Sequence, residues 1–314
     1  MGTGAVLGVG MAVPESRLTN ADLEQLLDTS DAWIVERTGI RERRVAAPDE
    51  STATLAVAAG AAAIKDAGLT PGDIGLLLLA TCTPVQVLPP TASLVQDALG
   101  LRCGALDVGA ACAGFVYGLV AASGMGGGQP TLLIGSETLT RITDPDDRST
   151  RILFGDGAGA AVIGTPNDPT AGLLSWDLGC DGAAAPLLEV PLNDRYMRME
   201  GKEVFRRAVR IVVESSTLAL DRAELSAADV DLFVPHQANV RIIEASCSRL
   251  GIPMEKAALN LDRYGNTSAA SIPMALAEAA EAGRLRPGAV VLLSGFGAGM
   301  TWASAVLRWD REVA

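Results

Sequence analysis

The stretch GLTPGDIGLLLLATCT, residues 68–83, has the pattern of a helix end, a turn and then a buried strand. The stretch ELSAADVDLFVPHQAN, residues 224–239, repeats this pattern 156 positions further along and aligns Leu232 with Leu76. Two copies of one pattern at this distance indicate a duplicated structural unit. Chance similarity between segments rich in small residues is the alternative interpretation.

Further pairs of segments support a duplication, because they recur in the same order at nearly the same spacing. They are 109–122 with 265–280 and 131–137 with 290–296, and the glycine-rich segments 154–164 and 295–307 also match each other. Neither glycine-rich segment continues into a phosphate-binding motif, so we interpret both as places of close backbone approach.

Apolar runs of strand length alternate with helical patterns along the chain. The predicted strands are 76–80, 131–134, 160–163, 232–234 and 290–293, and the predicted helices are 52–67, 112–123, 203–219 and 269–282. Continuous apolar strands imply sheets with helices on both faces. The sequence therefore predicts an α/β fold with an N-terminal half at 1–166 and a C-terminal half at 167–314, joined by an irregular segment at 166–200.

Composition excludes several classes of function. The chain has 314 residues, of which 49% are hydrophobic and 20% charged, and its net charge is −12. This charge disfavours nucleic acid and anionic membrane surfaces as partners, and an acidic partner would require a local basic patch. The sequence lacks a signal-peptide pattern and a long apolar run, so we expect a cytoplasmic protein that binds no membrane.

The five cysteines are odd in number and contain no C-x-x-C pair, which argues against a disulfide framework and against a zinc site. Cys112 differs from the others because it follows a strand-like ALDV and lies among small residues before a helical pattern. At a helix N-terminus the backbone N–H groups favour a thiolate and lower the pKa of the thiol. The sequence leaves two interpretations open, a buried packing residue and a nucleophile.

His236 is the single histidine, so any imidazole chemistry depends on it. It follows a predicted strand at a proline, where it could project into a cleft, or it could be a structural histidine. Asn266 follows a glycine and precedes a helix, where it could simply cap that helix. The repeat places Asn266 close to the counterpart of Cys112, so duplicated halves facing each other would bring the three side chains into one cleft.

A thiol, an imidazole and a carboxamide in one cleft suit a specific chemistry. A thiolate takes an acyl group from a thioester, and two hydrogen-bond donors can hold a second thioester while charge develops on its oxygen. If that second thioester is malonyl, loss of carbon dioxide produces an enolate that attacks the acyl-cysteine. The expected reaction is acyl transfer followed by carbon–carbon bond formation.

Three segments, DVGAACAGF (107–115), VPHQANVRII (234–243) and YGNTSAASIP (264–273), together resemble the signature of the β-ketoacyl-acyl carrier protein synthase III family of the thiolase superfamily. The resemblance covers nearly the whole chain and includes the segments 30–44, 147–162, 199–209 and 296–307. It implies a thiolase-like five-layered αβαβα fold and a homodimer. It also implies acyl-CoA and malonyl-acyl carrier protein as substrates, with neither a cofactor nor a metal.

The resemblance implies roles for individual residues. The catalytic residues would be Cys112, His236 and Asn266, and the backbone N–H groups of Cys112 and Ala298 would form an oxyanion hole. Many relatives have glycine in place of Ala298, but a backbone donor survives that change. The remaining implied contacts are Trp33, Arg37 and Arg148 with CoA, and Leu88 and Phe205 with the acyl chain, Leu88 reaching across the dimer.

Basic residues supply the patch that an acidic carrier protein requires. Lys202, Arg206 and Arg210 recur on one face of a predicted helix, and Arg241 and Arg249 lie on the next. A solvated helix face is the alternative interpretation. The resemblance favours carrier-protein docking by Arg206, Arg210, Arg241 and Arg249.

Three other functions compete with condensation. A related acyltransferase would pass the acyl group to an alcohol or amine, but Asn266 is superfluous without a decarboxylation. A biosynthetic thiolase would need a second cysteine, which residues 295–301 lack. A non-catalytic scaffold would be expected to have lost the nucleophile. The starter acyl group, and the choice between fatty acid and polyketide synthesis, stay open.

Overall fold

Two mixed β-sheets, one from each half of the chain, form the framework of the protein, of which the computed structural model describes residues 4–312. The strands are β1 (Ala5–Ala12), β2 (Arg17–Thr19), β3 (Glu42–Arg44), β4 (Leu76–Ala80), β5 (Gly104–Val108), β6 (Thr131–Thr138), β7 (Asp156–Gly164), β8 (Gly172–Cys180), β9 (Leu188–Glu189), β10 (Arg198–Met199), β11 (Leu232–Pro235), β12 (Val290–Gly297) and β13 (Thr301–Arg308). The helices are α1 (Asn20–Leu26), α2 (Asp31–Thr38), α3 (Thr52–Asp66), α4 (Thr91–Ala98), α5 (Gly114–Met125), α6 (Arg148–Arg151), α7 (Gly201–Arg222), α8 (Val240–Leu250), α9 (Leu261–Tyr264) and α10 (Ser271–Glu281).

The two main sheets have the same topology. The first has the strand order β1–β7–β6–β4–β5, and the second has the order β8–β13–β12–β11. In the first sheet β4 is parallel to β6 and β7 is antiparallel to β6 and β1, and the second sheet repeats these directions with β11, β12, β13 and β8. Within the described residues, the second sheet has no full strand equivalent to β5. At the corresponding position beside β11, Ala257 forms a single parallel bridge with Phe233. The predicted duplication is confirmed.

The turns before β4 and β11 also correspond in atomic detail. The Asp73 carboxylate accepts hydrogen bonds from the backbone N–H and the hydroxyl of Thr70, at 2.8 and 2.6 Å. Asp229 accepts the same two bonds from Ser226 at the same distances. Each turn directs the chain into a buried strand.

The helices complete five layers. Helices α5 and α10 pack against both sheets and form the central layer, α3 and α4 cover the outer face of the first sheet, and α7 and α8 cover the second. Because both faces of each sheet are covered, strands such as β4 and β6 are continuous apolar runs. The αβαβα arrangement that the resemblance implies is confirmed.

One prediction about the connecting segment was wrong. Residues 166–200 contain β8, which pairs with β13 as an edge strand of the second sheet, with one register shift at Val306–Leu307. The strand escaped prediction because Ser175 and Asp177 interrupt its apolar pattern. The boundary between residues 166 and 167 falls in the connection between β7 and β8 and stays a prediction. Among residues 4–312, no helix combines the length and apolar character needed to cross a membrane.

Candidate active site

Cys112 lies in a short 3-10 turn, Ala111–Ala113, between β5 and the central helix α5. It is buried, and the residue before it, Ala111, has a left-handed φ of 47°. The end of β12 approaches this turn closely, because a Cβ added to Gly297 would lie 2.5 Å from the Cys112 backbone nitrogen. Small residues at this point therefore place Cys112 between the two halves.

The ionisation of Cys112 differs from the expectation of a lowered thiol pKa. Burial raises the pKa of Cys112 to about 12, and the negative charge of Glu137 acts in the same direction. Hydrogen bonds from Ser268 and from the backbone of Cys112 itself oppose this shift. The resting structure therefore holds a neutral thiol, because loss of solvation outweighs the favourable backbone N–H groups.

His236 follows the last residue of β11, and its backbone N–H donates to the carbonyl of Ser294 on β12 at 2.8 Å. The ring packs edge-on against Phe296, with 5.4 Å between centroids. Its Nδ1 atom lies 2.7 Å from the hydroxyl of Ser271, the first residue of α10. Burial lowers the pKa of His236 to about 3, so the imidazole is neutral near pH 7.

Ser271 is the hydrogen-bond partner of the histidine ring. The Ser271 oxygen accepts a hydrogen bond from the backbone N–H of Gln237 at 3.3 Å. Its own proton can be donated to Nδ1 of His236, and the roles in this bond depend on the tautomer of the ring. In the tautomer that accepts this bond at Nδ1, the remaining proton of the neutral imidazole lies on Nε2 and is available to a ligand.

Asn266 lies on a loop that is fixed by backbone hydrogen bonds to the neighbouring half. Its N–H donates to Leu153 at 2.8 Å, and its carbonyl accepts from Gly155 at 3.0 Å. The side-chain oxygen accepts from the N–H of Ser268 at 2.9 Å, which leaves the amide NH₂ as the group available to a ligand. The capping prediction was wrong in detail, because this bond closes a turn before a 3-10 segment and α10 begins later, at Ser271.

Two cavities meet at Cys112. The first, of about 220 Å³, is lined by all three side chains, Cys112, His236 and Asn266. The second, of about 180 Å³, also reaches Cys112 and is lined mainly by apolar side chains. Its lining includes Cys112, Ala298, Ser268, Leu139, Ile142, Phe154, Leu188 and Met197. The structure therefore brings the three predicted catalytic residues together.

Comparisons with known proteins agree with this geometry. Residues 106–182 match the family 3-oxoacyl-[acyl-carrier-protein (ACP)] synthase III, and residues 220–309 match the C-terminal domain of the same family. A β-ketoacyl-[acyl-carrier-protein] synthase III from Roseiflexus castenholzii is 50% identical, with 98% of each chain covered. One from Geobacillus kaustophilus is 49% identical, with 99% of this chain and 100% of the relative covered. The chain belongs to the β-ketoacyl-acyl carrier protein synthase III family.

Solved structures of synthase III proteins share the fold. The 3-oxoacyl-[acyl-carrier-protein] synthase III from Aquifex aeolicus superposes with a TM-score of 0.94 at 43% identity, covering 98% of this chain and 100% of that one. The priming β-ketosynthase of the R1128 polyketide biosynthetic pathway superposes with a TM-score of 0.92 at 37% identity, covering 98% and 96%.

The residues that the synthase III resemblance associates with CoA lie outside the cavities. The Arg148 guanidinium stacks directly over the Trp33 ring, 4.9 Å from its centroid, and donates to the carbonyl of Asp28 at 2.7 Å. A planar base stacked between the two side chains would need about 3.5 Å to each of them. The present Arg148–Trp33 distance is too short for this, so the Arg148 side chain must move away before a base can bind against Trp33. Arg37 lies at the end of α2, where its carbonyl accepts from Asn239.

Phe205 and Leu88, the two residues expected in the acyl pocket, do not line the same cavity. Phe205 lines the first cavity and not the second. Leu88 is 81% exposed and lines neither cavity of its own chain. The apolar residues of the second cavity, such as Leu139 and Met197, went unpredicted because nothing in the sequence separates them from ordinary core residues.

The predicted docking arginines differ in their surroundings. Arg206 donates two hydrogen bonds to Glu203, at 2.7 and 3.0 Å, and Arg210 lies 4.0 Å from Glu214. Arg206 and Arg207 together lower the pKa of Glu203 to about 2. Arg241 lies 5.7 Å over the ring of Phe205, beside the first cavity, and Arg249 lies in the last turn of α8. Acidic neighbours therefore weaken the positive field of α7 more than that of α8.

Within residues 4–312, no group of three or more histidine, cysteine, aspartate or glutamate side chains is placed to hold a metal ion.

Proposed function

We propose that this protein condenses an acyl group from acyl-CoA with malonyl-acyl carrier protein to form a β-ketoacyl-acyl carrier protein. The observation that supports this proposal is the shared cavity of Cys112, His236 and Asn266, with a second, mainly apolar cavity that also reaches Cys112. A nucleophile that faces two neutral donors in one cavity and borders a second, apolar cavity fits a two-step acyl transfer.

In the first half-reaction the Cys112 sulfur attacks the thioester carbonyl of acyl-CoA. The carbon–sulfur bond to CoA breaks, CoA leaves as a thiol with the proton of Cys112, and the acyl group stays on Cys112. We assign the second cavity to the acyl chain and the first to the arm that delivers it, so Phe205 contacts the arm. The backbone N–H groups of Cys112 and Ala298 stabilise the oxyanion of the tetrahedral intermediate.

In the second half-reaction the donors of the first cavity act on the malonyl thioester. His236 Nε2–H and the Asn266 amide hold the thioester oxygen as carbon dioxide leaves and negative charge moves onto that oxygen. The enolate carbon then attacks the acyl-cysteine, and the Cys112 thiolate leaves and regains a proton. Each donor contributes about 10²–10³-fold in rate.

The supporting contacts belong to the same proposal. Trp33, Arg37 and Arg148 would bind CoA, and the basic side chains of α7 and α8 would bind the acidic carrier protein. A homodimer is supported by an exposed apolar loop, since Val85, Val87 and Leu88 are 45, 87 and 81% exposed. A cytoplasmic location fits the five unpaired cysteines, because thiols persist in reducing compartments.

Separate measurement of the two half-reactions tests the proposal. Wild-type protein should become covalently labelled by radioactive acetyl-CoA and release β-ketoacyl-carrier protein when malonyl-carrier protein is added. Cys112→Ala should not be labelled, whereas Cys247→Ala, which removes another buried thiol, should be labelled normally.

Asn266→Ala should keep acylation and lose condensation. Equal loss of both half-reactions in this variant would contradict the role of Asn266. Transfer of the label to a small alcohol or amine without malonyl-carrier protein would favour the acyltransferase. A panel of acyl-CoAs in the same assay identifies the starter.

A further inference from the structure

A charged side chain is buried between the segments that carry Trp33 and Arg148. Arg43, the middle residue of β3, has no solvent exposure. Burial, and after it the positive charge of Arg151, lowers the pKa of Arg43 to about 10, so the guanidinium stays charged near pH 7. A buried charge costs folding free energy unless its surroundings compensate for it, which makes the hydrogen-bond partners of this guanidinium informative.

The guanidinium of Arg43 joins three segments of the chain. Its Nη1 atom donates to the carbonyl of Leu18 at 3.1 Å and to the side-chain oxygen of Asn20 at 2.9 Å. Its Nη2 atom donates to the carbonyl of Ile152 at 2.6 Å. These acceptors are uncharged, so the bonds cross-link segments and do not neutralise the charge. The planar fork of arginine fixes the directions of both arms at once.

The two arms of this fork lead to the two elements that bear the proposed CoA residues. On one arm, the side-chain nitrogen of Asn20 donates to the carboxylate of Asp31, the first residue of α2, at 2.9 Å. Trp33 lies two residues later in the same helix. On the other arm, Ile152 directly follows α6, which begins at Arg148. A continuous chain of hydrogen bonds thus connects the start of α2 with the end of α6.

Apolar packing connects the same two elements. Ile34 of α2 and Ile152 pack with Leu23 of α1 in one small buried cluster, and Trp33 packs against it. Apolar contacts are non-directional, so this cluster keeps the elements together without fixing how they are oriented. The orientation of the Trp33 ring towards Arg148 requires directional bonds, and the buried fork supplies them.

We infer that Arg43 is a positioning residue that sets the spacing of α2 and α6, and through it the fit of the CoA nucleotide between Trp33 and Arg148. This inference rests on the proposed function, because it takes those two residues as the CoA site. Arg43 itself is fully buried and lines neither cavity at Cys112. Its effect is therefore on binding of the nucleotide and not on the chemistry at the sulfur.

Acylation of Cys112 by two thioesters tests this inference. Radioactive acetyl-CoA carries the nucleotide, and radioactive S-acetyl-N-acetylcysteamine has the same thioester without it. The second-order rate constant of labelling is measured for each. Condensation is left out of the measurement, because Ile152 precedes Leu153, whose carbonyl accepts from the N–H of Asn266.

Arg43→Lys keeps the charge, but a single ammonium group cannot reproduce both arms of the fork. Acetyl-CoA should acylate this variant about fivefold more slowly than the wild type, which is part of what one base–aromatic stacking interaction contributes. The truncated thioester should acylate it at the wild-type rate. Equal slowing with both thioesters would indicate a general loosening of the fold and overturn the inference, and so would wild-type rates with both.

The same measurement separates the inference from the proposed function. Wild-type protein should react faster with acetyl-CoA than with the truncated thioester, because the nucleotide adds binding energy. If Arg43→Lys keeps this preference in full, the inference alone fails. If the wild type shows no preference, the CoA site itself is wrong and the inference falls with it.

Arg44→Lys is the matched control, since it makes the same change at the next residue of β3. The Arg44 side chain is 13% exposed, and it donates to the carbonyl of Pro14 at 3.0 Å, which lies in neither α2 nor α6. Both of its rates should match those of the wild type. Slowing with acetyl-CoA alone, to the extent seen in Arg43→Lys, would contradict a specific role of Arg43.

Asn20→Asp provides a second test if Arg43→Lys does not fold, as circular dichroism would show. This substitution keeps an oxygen for Arg43 but replaces the amide that donates to Asp31 with a carboxylate that repels it. It breaks the connection to α2 and should slow acylation by acetyl-CoA alone, again about fivefold. Unchanged rates, or equal slowing with both thioesters, would overturn the inference.

Discussion

The hydroxyl oxygen of Ser271 lies 2.7 Å from Nδ1 of His236 and accepts a hydrogen bond from the N–H of Gln237. A Ser271 hydroxyl that donates to Nδ1 favours the tautomer with its proton on Nε2, which is the donor that the proposed enolate requires. A serine at the start of the central helix α10 is thus placed to orient the imidazole.

Ser271→Ala should lower the rate of malonyl decarboxylation and condensation about tenfold while leaving acylation of Cys112 intact. Without the hydroxyl, the imidazole is free to place its proton on either nitrogen, and its orientation loses a hydrogen bond. Product formation and acetyl labelling, measured side by side, check this expectation. Ser246→Ala is the matched control, because Ser246 is equally buried and its hydroxyl has no hydrogen-bond partner. Equal loss of both half-reactions in Ser271→Ala would contradict the prediction.

His236 also makes stability depend on pH. Burial lowers its pKa to about 3, against an ordinary value of 6.5 in the unfolded chain. Between these values the unfolded chain binds a proton that the native protein excludes, so stability falls as pH drops below about 6.5, by up to about 1.4 kcal/mol per pH unit. His236→Gln should lose this contribution. Urea unfolding from pH 4.5 to 7.5 measures it, and identical slopes for the two proteins would refute the assignment.

Trp33→Ala should raise the KM for acyl-CoA about tenfold with little change in kcat. The substitution removes one base–aromatic stacking interaction, worth about 1–3 kcal/mol. This loss of binding energy is offset by the fact that CoA no longer has to displace Arg148 from the Trp33 ring. Initial rates over a range of acyl-CoA concentrations provide the measurement. Trp176→Ala removes another accessible tryptophan, on β8, and should leave KM unchanged. An unchanged KM for acyl-CoA in Trp33→Ala would contradict a role of Trp33 in CoA binding.

The elements that the sequence predicts well are the buried ones. Continuous apolar runs identify β4, β6, β11 and β12, and the repeat identifies the facing halves that bring Cys112 near His236. Two strands that the sequence did not predict, β1 and β8, are the equivalent edge strands of the two sheets. Glycines interrupt the pattern of β1, because a Cβ at Gly8 or Gly10 would lie 2.5 Å from the backbone of α3, and Ser175 and Asp177 interrupt the pattern of β8.

Features that depend on the three-dimensional surroundings of a residue cannot be predicted from its local sequence. The raised pKa of Cys112 reflects burial, which local sequence does not reveal. Ala111 and Ser268 begin equivalent 3-10 turns in the two halves with φ values of 47° and 48°. Neither residue type predicts such a conformation, which is typical of strained functional sites.

Arg249→Glu should raise the KM for malonyl-carrier protein severalfold at low ionic strength, and the effect should shrink as salt is added. Arg249 lies two turns beyond Arg241 on α8, about 12 Å along the helix, where an acidic carrier protein over the first cavity can reach it. Acylation by acetyl-CoA should not change. Arg286→Glu reverses another exposed charge, next to β12, and serves as the control. Equal KM changes in both variants would indicate a general charge effect and contradict specific docking.

Gly297→Ala should slow acylation of Cys112 by at least about 10²-fold. The backbone at Gly297 is extended, with φ of −161°, so alanine fits the conformation itself. The added Cβ, however, would lie 2.5 Å from the Cys112 nitrogen and 2.9 Å from the Ala111 side chain. The turn that bears the nucleophile must then move, and a shift of about 1 Å is enough to cost this much rate.

Gly124→Ala is the control for that substitution. An added Cβ at Gly124, in α5, meets no atom within 4 Å, and we expect about 0.5–1 kcal/mol of added stability with unchanged acylation. Overpacking at Gly297 should instead cost about 1–3 kcal/mol, measurable by urea unfolding. If Gly297→Ala is acylated as fast as the wild type, the close contact between β12 and the Cys112 turn does not position the sulfur. The geometry proposed for the oxyanion hole would then need revision, because Ala298 follows directly on the same strand end.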